Sequence, residues 1–307
     1  MAKSNLKKST RKLFLIVGSI LLILMIAFLA NLTIWHRIQK VTKREHQFLP
    51  GNNSITWIGH STVLMHLDKV NIITDPMYSD FILIFAKRYF EPGLEFEKLP
   101  HIDAIVISHE HSDHFDKSTL KRFPKNTPVI ISRQLGDRLK DIGFSDVREL
   151  KWWESTRING TKITAVPARH GEAKISNYVI EGSKTVFFAG DTAFFEAFYD
   201  VGRKFDIDVA LMPISNYKLR SGIKWLDNIH AKIHMSPADF PNAIKSLRAE
   251  IAIPIHFGTF RNEGFLELPL EEPPRYLREV VKKNHLENKV KILEIGGQLN
   301  IEYLDKK

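Results

Sequence analysis

Three histidines and two carboxylates crowd into the six residues from His109 to His114, in the order His-Glu-His-Ser-Asp-His. Neutral imidazole and carboxylate are the ligands that Zn²⁺ and other borderline divalent metals prefer. His109 and His111 can approach one metal ion, while Asp113 and His114, one step further round a turn, can approach a second. The cluster directly follows an apolar run at residues 105–107, which predicts a strand that ends in a metal-binding loop. A polar loop that happens to be rich in histidine is the plain alternative.

Three more residues of metal-ligating type occur later in the chain, each just after an apolar run that predicts a strand. They are His170, Asp191 and His256. Because loops at strand ends of an α/β fold converge on one crevice, we expect these side chains to meet the first cluster. Taken singly, each has an ordinary explanation: a surface histidine, a helix cap and a buried imidazole.

In type and order these residues resemble the metallo-β-lactamase superfamily, whose pattern is His-x-His-x-Asp-His, then a distant His, an Asp and a final His. The resemblance implies an α/β fold, a four-layer αββα sandwich with two metal ions at one edge between its sheets. It implies that one ion is held by His109, His111 and His170, the other by Asp113, His114 and His256, with Asp191 bridging them. Redox members with a di-iron centre have Glu in place of the second histidine. His111 keeps that place here, which favours hydrolysis.

Within the superfamily the sequence is similar to the N-acyl phosphatidylethanolamine phospholipase D-like branch over about residues 54–262. The segments that carry the likeness are 56–62, 74–76, 99–104, 152–154, 187–192, 213–214, 234–237 and 256–260. The chain departs from the branch at Gly171 and Glu172, where Trp and Ser are typical, and at residues 218–222, where a more aromatic sequence is expected. The resemblance implies a phosphodiester substrate, and these departures leave the acyl-ethanolamine specificity open.

Three further residues, together with the ligand Asp113, receive roles in the predicted site. His234 and Asp113 are the predicted catalytic residues, with Asp113 also a ligand and His234 pointing into the pocket as acid or phosphate ligand. An ordinary histidine ahead of a helix is the alternative for His234, and His230 is a weaker substitute. His60 and Asp75 are predicted to orient metal ligands through hydrogen bonds, or to be purely structural. The expected nucleophile is water activated between two divalent ions, most simply Zn²⁺, although Mn²⁺ or Fe²⁺ would fit similar ligands.

Beyond residue 54, short Val- and Ile-rich runs alternate with amphipathic stretches, which predicts more strands than one simple sheet can hold. The predicted strands cover residues 56–58, 63–67, 71–74, 104–108, 128–132, 162–166, 178–181, 185–189, 209–213, 251–255 and 291–295. The predicted helices cover residues 118–122, 133–142, 193–204, 237–247 and 274–284. The apolar stretch at residues 81–86 is either a buried element or an apolar lip beside the site that faces a bilayer.

Residues 13–35 contain no charged side chain. As a helix they would extend about 34 Å, enough to cross a hydrocarbon core of roughly 30 Å. The sequence therefore predicts a basic tail (1–12), a transmembrane helix (13–35), a linker (36–53) and a hydrolase domain (54–307), in a single-pass protein of the cell membrane. A cleaved signal peptide is the alternative. Basic residues flank both ends of the segment, so the sequence does not decide on which side of the membrane the catalytic domain lies.

The net charge of +9 comes almost entirely from the first 45 residues, where nine Lys and Arg face Glu45 alone. The remaining chain is nearly neutral, which argues against a nuclease and against nucleic acid as a partner. We therefore predict a membrane-anchored, dinuclear metal hydrolase acting on phospholipid as a phosphodiesterase. A lactonase or other carboxylic-ester hydrolase is the enzymatic alternative, and a non-catalytic metal-binding sensor is the alternative of another class. The sequence leaves the oligomeric state open.

Overall fold

The computed structural model describes residues 16–28, 53–82, 86–214, 233–262 and 272–304. The chain divides into two compact units, Met1–Val41 and Thr42–Lys307. In the first unit, residues 16–28 form helix α1. The rest of the predicted transmembrane segment, residues 13–15 and 29–35, lies outside the described residues. Within those that are described, no helix is both long and apolar enough to cross a membrane.

The second unit contains sixteen described strands, numbered here in chain order. They are β1 Ser54–Gly59, β2 Thr62–Leu67, β3 Val70–Thr74, β4 Phe81–Ile82, β5 Ala86–Arg88, β6 Ala104–Ile107, β7 Val129–Ser132, β8 Val147–Leu150, β9 Ser155–Ile158, β10 Thr161–Val166, β11 Asn177–Glu181, β12 Thr185–Phe188, β13 Val209–Pro213, β14 Ile251–Ile255, β15 Phe260–Asn262 and β16 Gln298–Asn300. The helices of this unit are α2 Lys117–Leu120, α3 Gly136–Lys140, α4 Ala197–Lys204, α5 Phe240–Leu247 and α6 Glu272–Lys283, with short 3₁₀ turns at Phe96–Lys98 and Pro237–Asp239.

The strands form two large mixed sheets and one small sheet. The first large sheet has the order β16-β1-β2-β3-β6-β7-β8, and the second has the order β14-β13-β12-β11-β10-β9. The small antiparallel sheet has the order β15-β5-β4. In the first sheet β3, β6, β7 and β8 run parallel, and in the second β12, β13 and β14 do.

The two large sheets pack face to face, and helices cover their outer faces. Strand β6 shows this clearly, because Val106 belongs to the core shared with the second sheet while Ile105 packs with Leu139 of α3 on the opposite face. Such alternation is expected of a strand buried on both faces. On the far side of the second sheet, α4 and α5 contribute Phe198 and Leu247 to the core. The described part of the chain is therefore layered helix, sheet, sheet, helix, as predicted.

Strand direction decides where the functional residues gather. In the first sheet β1 runs in the same direction as β3 and β6, since β2 is antiparallel to both of its neighbours. In the second sheet β10 likewise runs in the same direction as β12, β13 and β14. The carboxyl ends of each set therefore lie along one edge of its sheet, where the following loops can meet.

One predicted strand is not formed. Residues 291–295 were expected to be a strand, but they make only edge contacts with β14, through a bridge between Ala252 and Val290 and a hydrogen bond from Lys291 N to Ala252 O. The chain then turns at Gly296, and β16 pairs with β1 instead. The apolar pattern of this segment reflects burial of Ile295 against the core rather than membership of a sheet.

Candidate metal centre

The predicted ligands follow four strands that end at the same edge. His109 follows β6, His170 follows β10, Asp191 follows β12 and His256 follows β14. The first of these strands belongs to one large sheet and the other three to the other, so the cluster forms across the two sheets. Among the described residues, three groups of side chains have ligand atoms within 4.8 Å of one another, and all of the predicted ligands belong to them.

The first group consists of His109, His111 and His170, the set predicted for one metal ion. His170 Nε2 lies 3.1 Å from His111 Nδ1. Two nitrogens that bind one tetrahedral Zn²⁺ at about 2.1 Å are roughly 3.4 Å apart, so this spacing suits a shared cation. His170 Nδ1 contacts the carbonyl oxygen of Ile233 at 2.9 Å, which orients the ring.

The second group contains Asp113, His114 and His256, the set predicted for the other ion, together with His60. His114 Nε2 lies 3.0 Å from His256 Nε2 and 3.4 Å from Asp113 Oδ2. His60 Nε2 lies 3.1 Å from Asp113 Oδ2, and its ring packs on His256 with centroids 3.9 Å apart. His60 is therefore close enough to serve as a ligand or to orient Asp113.

Asp191 lies between the two groups, where a bridging ligand is predicted. Its Oδ2 is 3.7 Å from His170 Nε2 and 3.6 Å from His256 Nε2. His234 is brought closer still, with Nε2 2.9 Å from Asp191 Oδ2. His234 thus lines the pocket, and together with His170 and Asp191 it forms the third group of candidate ligands.

Asp75 supports the cluster from behind. Its Oδ2 lies 2.7 Å from His114 Nδ1, and its Oδ1 accepts a 2.7 Å hydrogen bond from Ser108 N. Ser108 Oγ donates to Asp75 Oδ2 at 2.6 Å and lies 3.0 Å from His109 Nδ1. The arrangement suits the predicted orienting role of Asp75. Ser108 was not predicted, although its position between the end of β6 and His109 was the available signal.

The electrostatics favour ionised carboxylates and, at His109 and His60, neutral imidazoles. His114 differs, because the Asp113 and Asp75 carboxylates outweigh burial and raise its pKa well above its ordinary value. Burial lowers the pKa of His109 well below its ordinary value of 6.5, and burial with the neighbouring His256 lowers the pKa of His60 to about 3. Burial alone would raise the pKa of the Asp191 carboxyl, but the imidazoles of His256 and His234 hold it well below its ordinary value. The pKa of Asp113 is likewise depressed, because His114 outweighs the effect of burial. Metal ions bind neutral imidazole and ionised carboxylate, so an ion held by His114 would have to displace its proton.

One buried atom tests the fit of a metal directly. His109 Nε2 is fully buried and has no hydrogen-bond partner among the described residues. A buried polar atom without a partner is costly, and a cation ligated by His109, His111 and His170 would satisfy it. The three groups together contain seven imidazoles and two carboxylates, a donor set appropriate to Zn²⁺ and similar ions.

The cluster opens into a cavity of about 400 Å³ with one apolar wall. The small sheet and the loop after β14 supply that wall through Ile82, Ala86, Phe257 and Phe260. The predicted apolar lip at residues 81–86 therefore borders the site where it is described, and Phe81 is 40% exposed. Residues 83–85 lie outside the described residues.

Arg88 connects this wall to the loop after β3 through hydrogen bonds and a cation–π contact. Its Nη2 donates to Met77 O at 2.6 Å and its Nε to Ser79 O at 3.2 Å, while the guanidinium stacks over Phe260 at 4.7 Å. Burial lowers the pKa of Arg88 to about 10, so it stays charged at neutral pH. No sequence pattern signalled this role, because its partners are backbone atoms and a distant ring.

Comparison with known proteins identifies the family of the chain. The model of the Beta-lactamase superfamily domain matches residues 70–257. An N-acyl-phosphatidylethanolamine-hydrolyzing phospholipase D 1 from Caenorhabditis elegans is 34% identical over 233 residues, covering 67% of this chain and 64% of that protein. A UPF0173 metal-dependent hydrolase from Methanopyrus kandleri is 26% identical, covering 79% of this chain and 97% of that protein. The isothiocyanate hydrolase from Delia radicum gut bacteria shares the fold, with a TM-score of 0.67 at 18% identity over 80% of this chain and 98% of that one.

The chain belongs to the beta-lactamase superfamily. The predicted membership is thereby confirmed, and so is the predicted class, since relatives bear the names of metal-dependent hydrolases and of a phospholipase D. The chain spans less than two thirds of the length of the phospholipase relative. Two sequence features lie outside the described residues, His230 and the divergent segment at 218–222.

Proposed function

We propose that the protein is a membrane-anchored phosphodiesterase that uses two divalent metal ions, with Zn²⁺ as the first candidate, to hydrolyse phospholipid. The observation that carries the proposal is the juxtaposition of two ligand groups, joined by Asp191, with an apolar wall on the same cavity. Such a cavity can take a charged ester group at the ligands and an acyl-bearing portion at the wall. The name of the phospholipase relative supports this choice.

In the proposed assignment His109, His111 and His170 hold one ion, and Asp113, His114 and His256 hold the other. When bound, divalent cations supply Lewis acidity, which polarises a phosphoryl group and lowers the pKa of water. Asp191 offers two carboxylate oxygens between the groups, and its lowered pKa keeps it ionised. Asp75 holds the His114 ring at 2.7 Å, which leaves His114 Nε2 turned toward the cluster.

His234 has the position of a proton donor. Its Nε2 contacts Asp191 Oδ2 at 2.9 Å, and its side chain is 16% exposed, so it meets both the cluster and the cavity. From there it would donate a proton to the departing alcohol oxygen. Loss of a general acid typically lowers turnover by about 100-fold or more.

The membrane anchor is the uncharged segment at residues 13–35, with basic residues on both sides. Lysine and arginine beside an apolar segment are attracted to anionic head groups. Such an anchor would keep the cavity at high effective concentration near lipid esters.

The experiment is incubation of metal-loaded protein with a mixed lipid extract, followed by mass spectrometry of the products. We expect release of a phosphate-containing head group or of phosphatidic acid. Opening of small lactones without phospholipid cleavage would support the carboxylic-ester alternative instead, and absence of turnover on a broad panel of esters and phosphodiesters would point to a metal-binding sensor.

Three variants test whether Asp191 binds metal and His234 donates the proton. Asp191→Ala should lose both metal and turnover, whereas His234→Ala should keep its metal and lose about 100-fold or more in turnover. His101→Ala is the matched control, because this histidine is exposed and lies before β6, away from the cluster. Equal metal loss in the Asp191 and His234 variants would make His234 a ligand and contradict its assignment as the acid.

A further inference from the structure

Two adjacent tryptophans are exposed on the turn between β8 and β9. Trp152 is 48% exposed and Trp153 is 41% exposed, although indole is among the largest apolar side chains. Neither residue takes part in the candidate metal centre. The pair therefore presents a large apolar surface to solvent that the proposed reaction does not explain.

The turn is built to hold this exposed conformation. Trp153 has a φ of 73°, in the left-handed region that non-glycine residues rarely adopt. The backbone is fixed by hydrogen bonds from Trp153 N to Ala165 O at 2.6 Å and from Glu154 N to Lys151 O at 3.0 Å. The Glu154 side chain also accepts from Lys151 N at 2.9 Å. The exposure of the two indoles is thus a feature of an ordered turn.

The turn lies at the same edge of the fold as the metal centre. It follows the carboxyl end of β8, which is parallel to β7 and β6, so it lies two strand spacings, about 10 Å, from the end of β6. Hydrogen bonds connect the two places. Trp152 Nε1 donates to Ile175 O at 3.1 Å, and the next residue, Ser176, donates from its backbone to Ser108 O at 3.1 Å.

Positive charge flanks the tryptophans. Lys204 Nζ lies 5.3 Å from the centroid of Trp153, and Lys174 is exposed beside Ile175, the residue that Trp152 contacts. Neither lysine forms an ion pair with any residue that the structure describes. Glu154 is paired with Lys151 at 3.7 Å, which leaves Glu172 as the exposed carboxylate of the loop after His170. The surface combines exposed indole with a positive excess.

We propose that Trp152 and Trp153, flanked by Lys174 and Lys204, dock the catalytic unit onto the surface of a bilayer that contains anionic lipid. Indole rings favour the boundary between head groups and acyl chains, because one end is apolar and the N–H is polar. Lysines beside that boundary attract anionic head groups. Docking here turns the edge that carries the metal centre toward the membrane, and it requires no particular reaction at that centre.

The test uses the fluorescence of the full chain reconstituted in vesicles with brominated acyl chains, which quench indoles that reach them. Trp35→Phe and Trp225→Phe leave three tryptophans, of which Trp57 is buried and serves as the unquenched reference. We expect strong quenching in vesicles with anionic lipid and little in neutral vesicles. Adding Trp152→Phe and Trp153→Phe should abolish it.

Charge variants make the test sharper. Lys174→Gln with Lys204→Gln should weaken the docking equilibrium about 25-fold, from about fivefold for each lysine near an anionic surface. Lys245→Gln with Lys283→Gln removes the same charge at exposed positions on α5 and α6 and should change nothing. Glu172→Gln should strengthen docking.

Three results would overturn the proposal. They are quenching no greater than that of Trp57 alone, equal quenching in neutral and anionic vesicles, or equal effects of the two lysine pairs. Quenching without phospholipid hydrolysis would support the docking surface and contradict only the proposed reaction.

Discussion

Gly190 is the position where a single methyl group should disturb the metal centre most directly. It precedes Asp191 after β12 and faces Ser108, which precedes His109 after β6. A Cβ at Gly190 would lie closer than 3.0 Å to both Cβ and Oγ of Ser108, a separation that real Cβ atoms essentially never show. The two large sheets thus approach each other here at the contact between a glycine and a serine.

The expected effect of Gly190→Ala on stability and on metal affinity follows from this contact. Carbon atoms need about 3.5 Å, so the two segments must separate by at least about 0.5 Å. Metal–ligand distances tolerate only about 0.2 Å, and His109 and Asp191 would move with their neighbours. We expect a loss of about 1–3 kcal/mol in the free energy of unfolding from overpacking, and about 10-fold or more in metal affinity.

The assay is competition with a chromophoric chelator for metal affinity, alongside urea unfolding for stability. Gly202→Ala is the matched control, because its Cβ would meet the backbone of Ser246 and Leu247, away from the cluster. It should lose comparable stability without losing metal affinity. Ser108→Gly removes both clashing atoms, so adding Gly190→Ala to it should cost little further. Parent-like metal affinity in Gly190→Ala, or a double variant that loses much more stability and metal affinity than Ser108→Gly alone, would refute the reasoning.

Two further predictions concern carboxylates that hold the fold around the site. Asp75→Asn should lower metal affinity by about 10- to 100-fold in the same chelator assay, because His114 and Ser108 lose a charged acceptor; unchanged affinity would assign Asp75 a structural role only. Asp116 caps α2 and accepts from Ser79 N at 3.0 Å, and these bonds outweigh burial and lower its pKa. A carboxyl with a lowered folded pKa stabilises the fold above its unfolded value near 3.9 and loses that contribution as the pH falls. Asp116→Asn should therefore destabilise the protein by about 1 kcal/mol at pH 7, with a smaller difference at pH 3 in urea unfolding; an equal difference at both would contradict this account.

The grouping of the candidate ligands could be predicted because each position follows a local pattern. A short apolar run followed by His or Asp is visible in sequence at His109, His170, Asp191 and His256, and the parallel strands then bring the four strand ends together. The helices were also found, although predicted residues 133–142 shorten to Gly136–Lys140, where the Glu149 side chain accepts from Gly136 N at 2.8 Å. This capping side chain belongs to β8, so the sequence around the helix does not predict where the helix begins.

The cavity wall was predicted only in part, since residues 81–86 were expected either as a buried element or as an apolar lip beside the site, and nothing placed Phe257 and Phe260 beside them. It joins Ile82 and Ala86 to Phe257 and Phe260, which are far apart in sequence and meet only through the small sheet. Strands this short carry little periodicity, so no pattern marks them. The metal ligands thus identify the class of reaction, whereas the residues that would select a substrate depend on tertiary structure.

Backbone conformation is a second feature of the site that the sequence pattern does not predict. His60, Asp75 and His256 directly follow β1, β3 and β14. Their φ values are 52°, 33° and 61°, in the left-handed region that costs non-glycine residues of order 1–3 kcal/mol each. Backbone hydrogen bonds hold them there, from His256 N to His60 O at 2.9 Å and from Asp75 N to Val106 O at 2.9 Å. Three such residues around one cluster mean that the buried core offsets strain at the site. The left-handed backbone at these three residues directs their side chains toward the cluster. A change to a right-handed or extended backbone there would stabilise the chain but would move the candidate ligands apart.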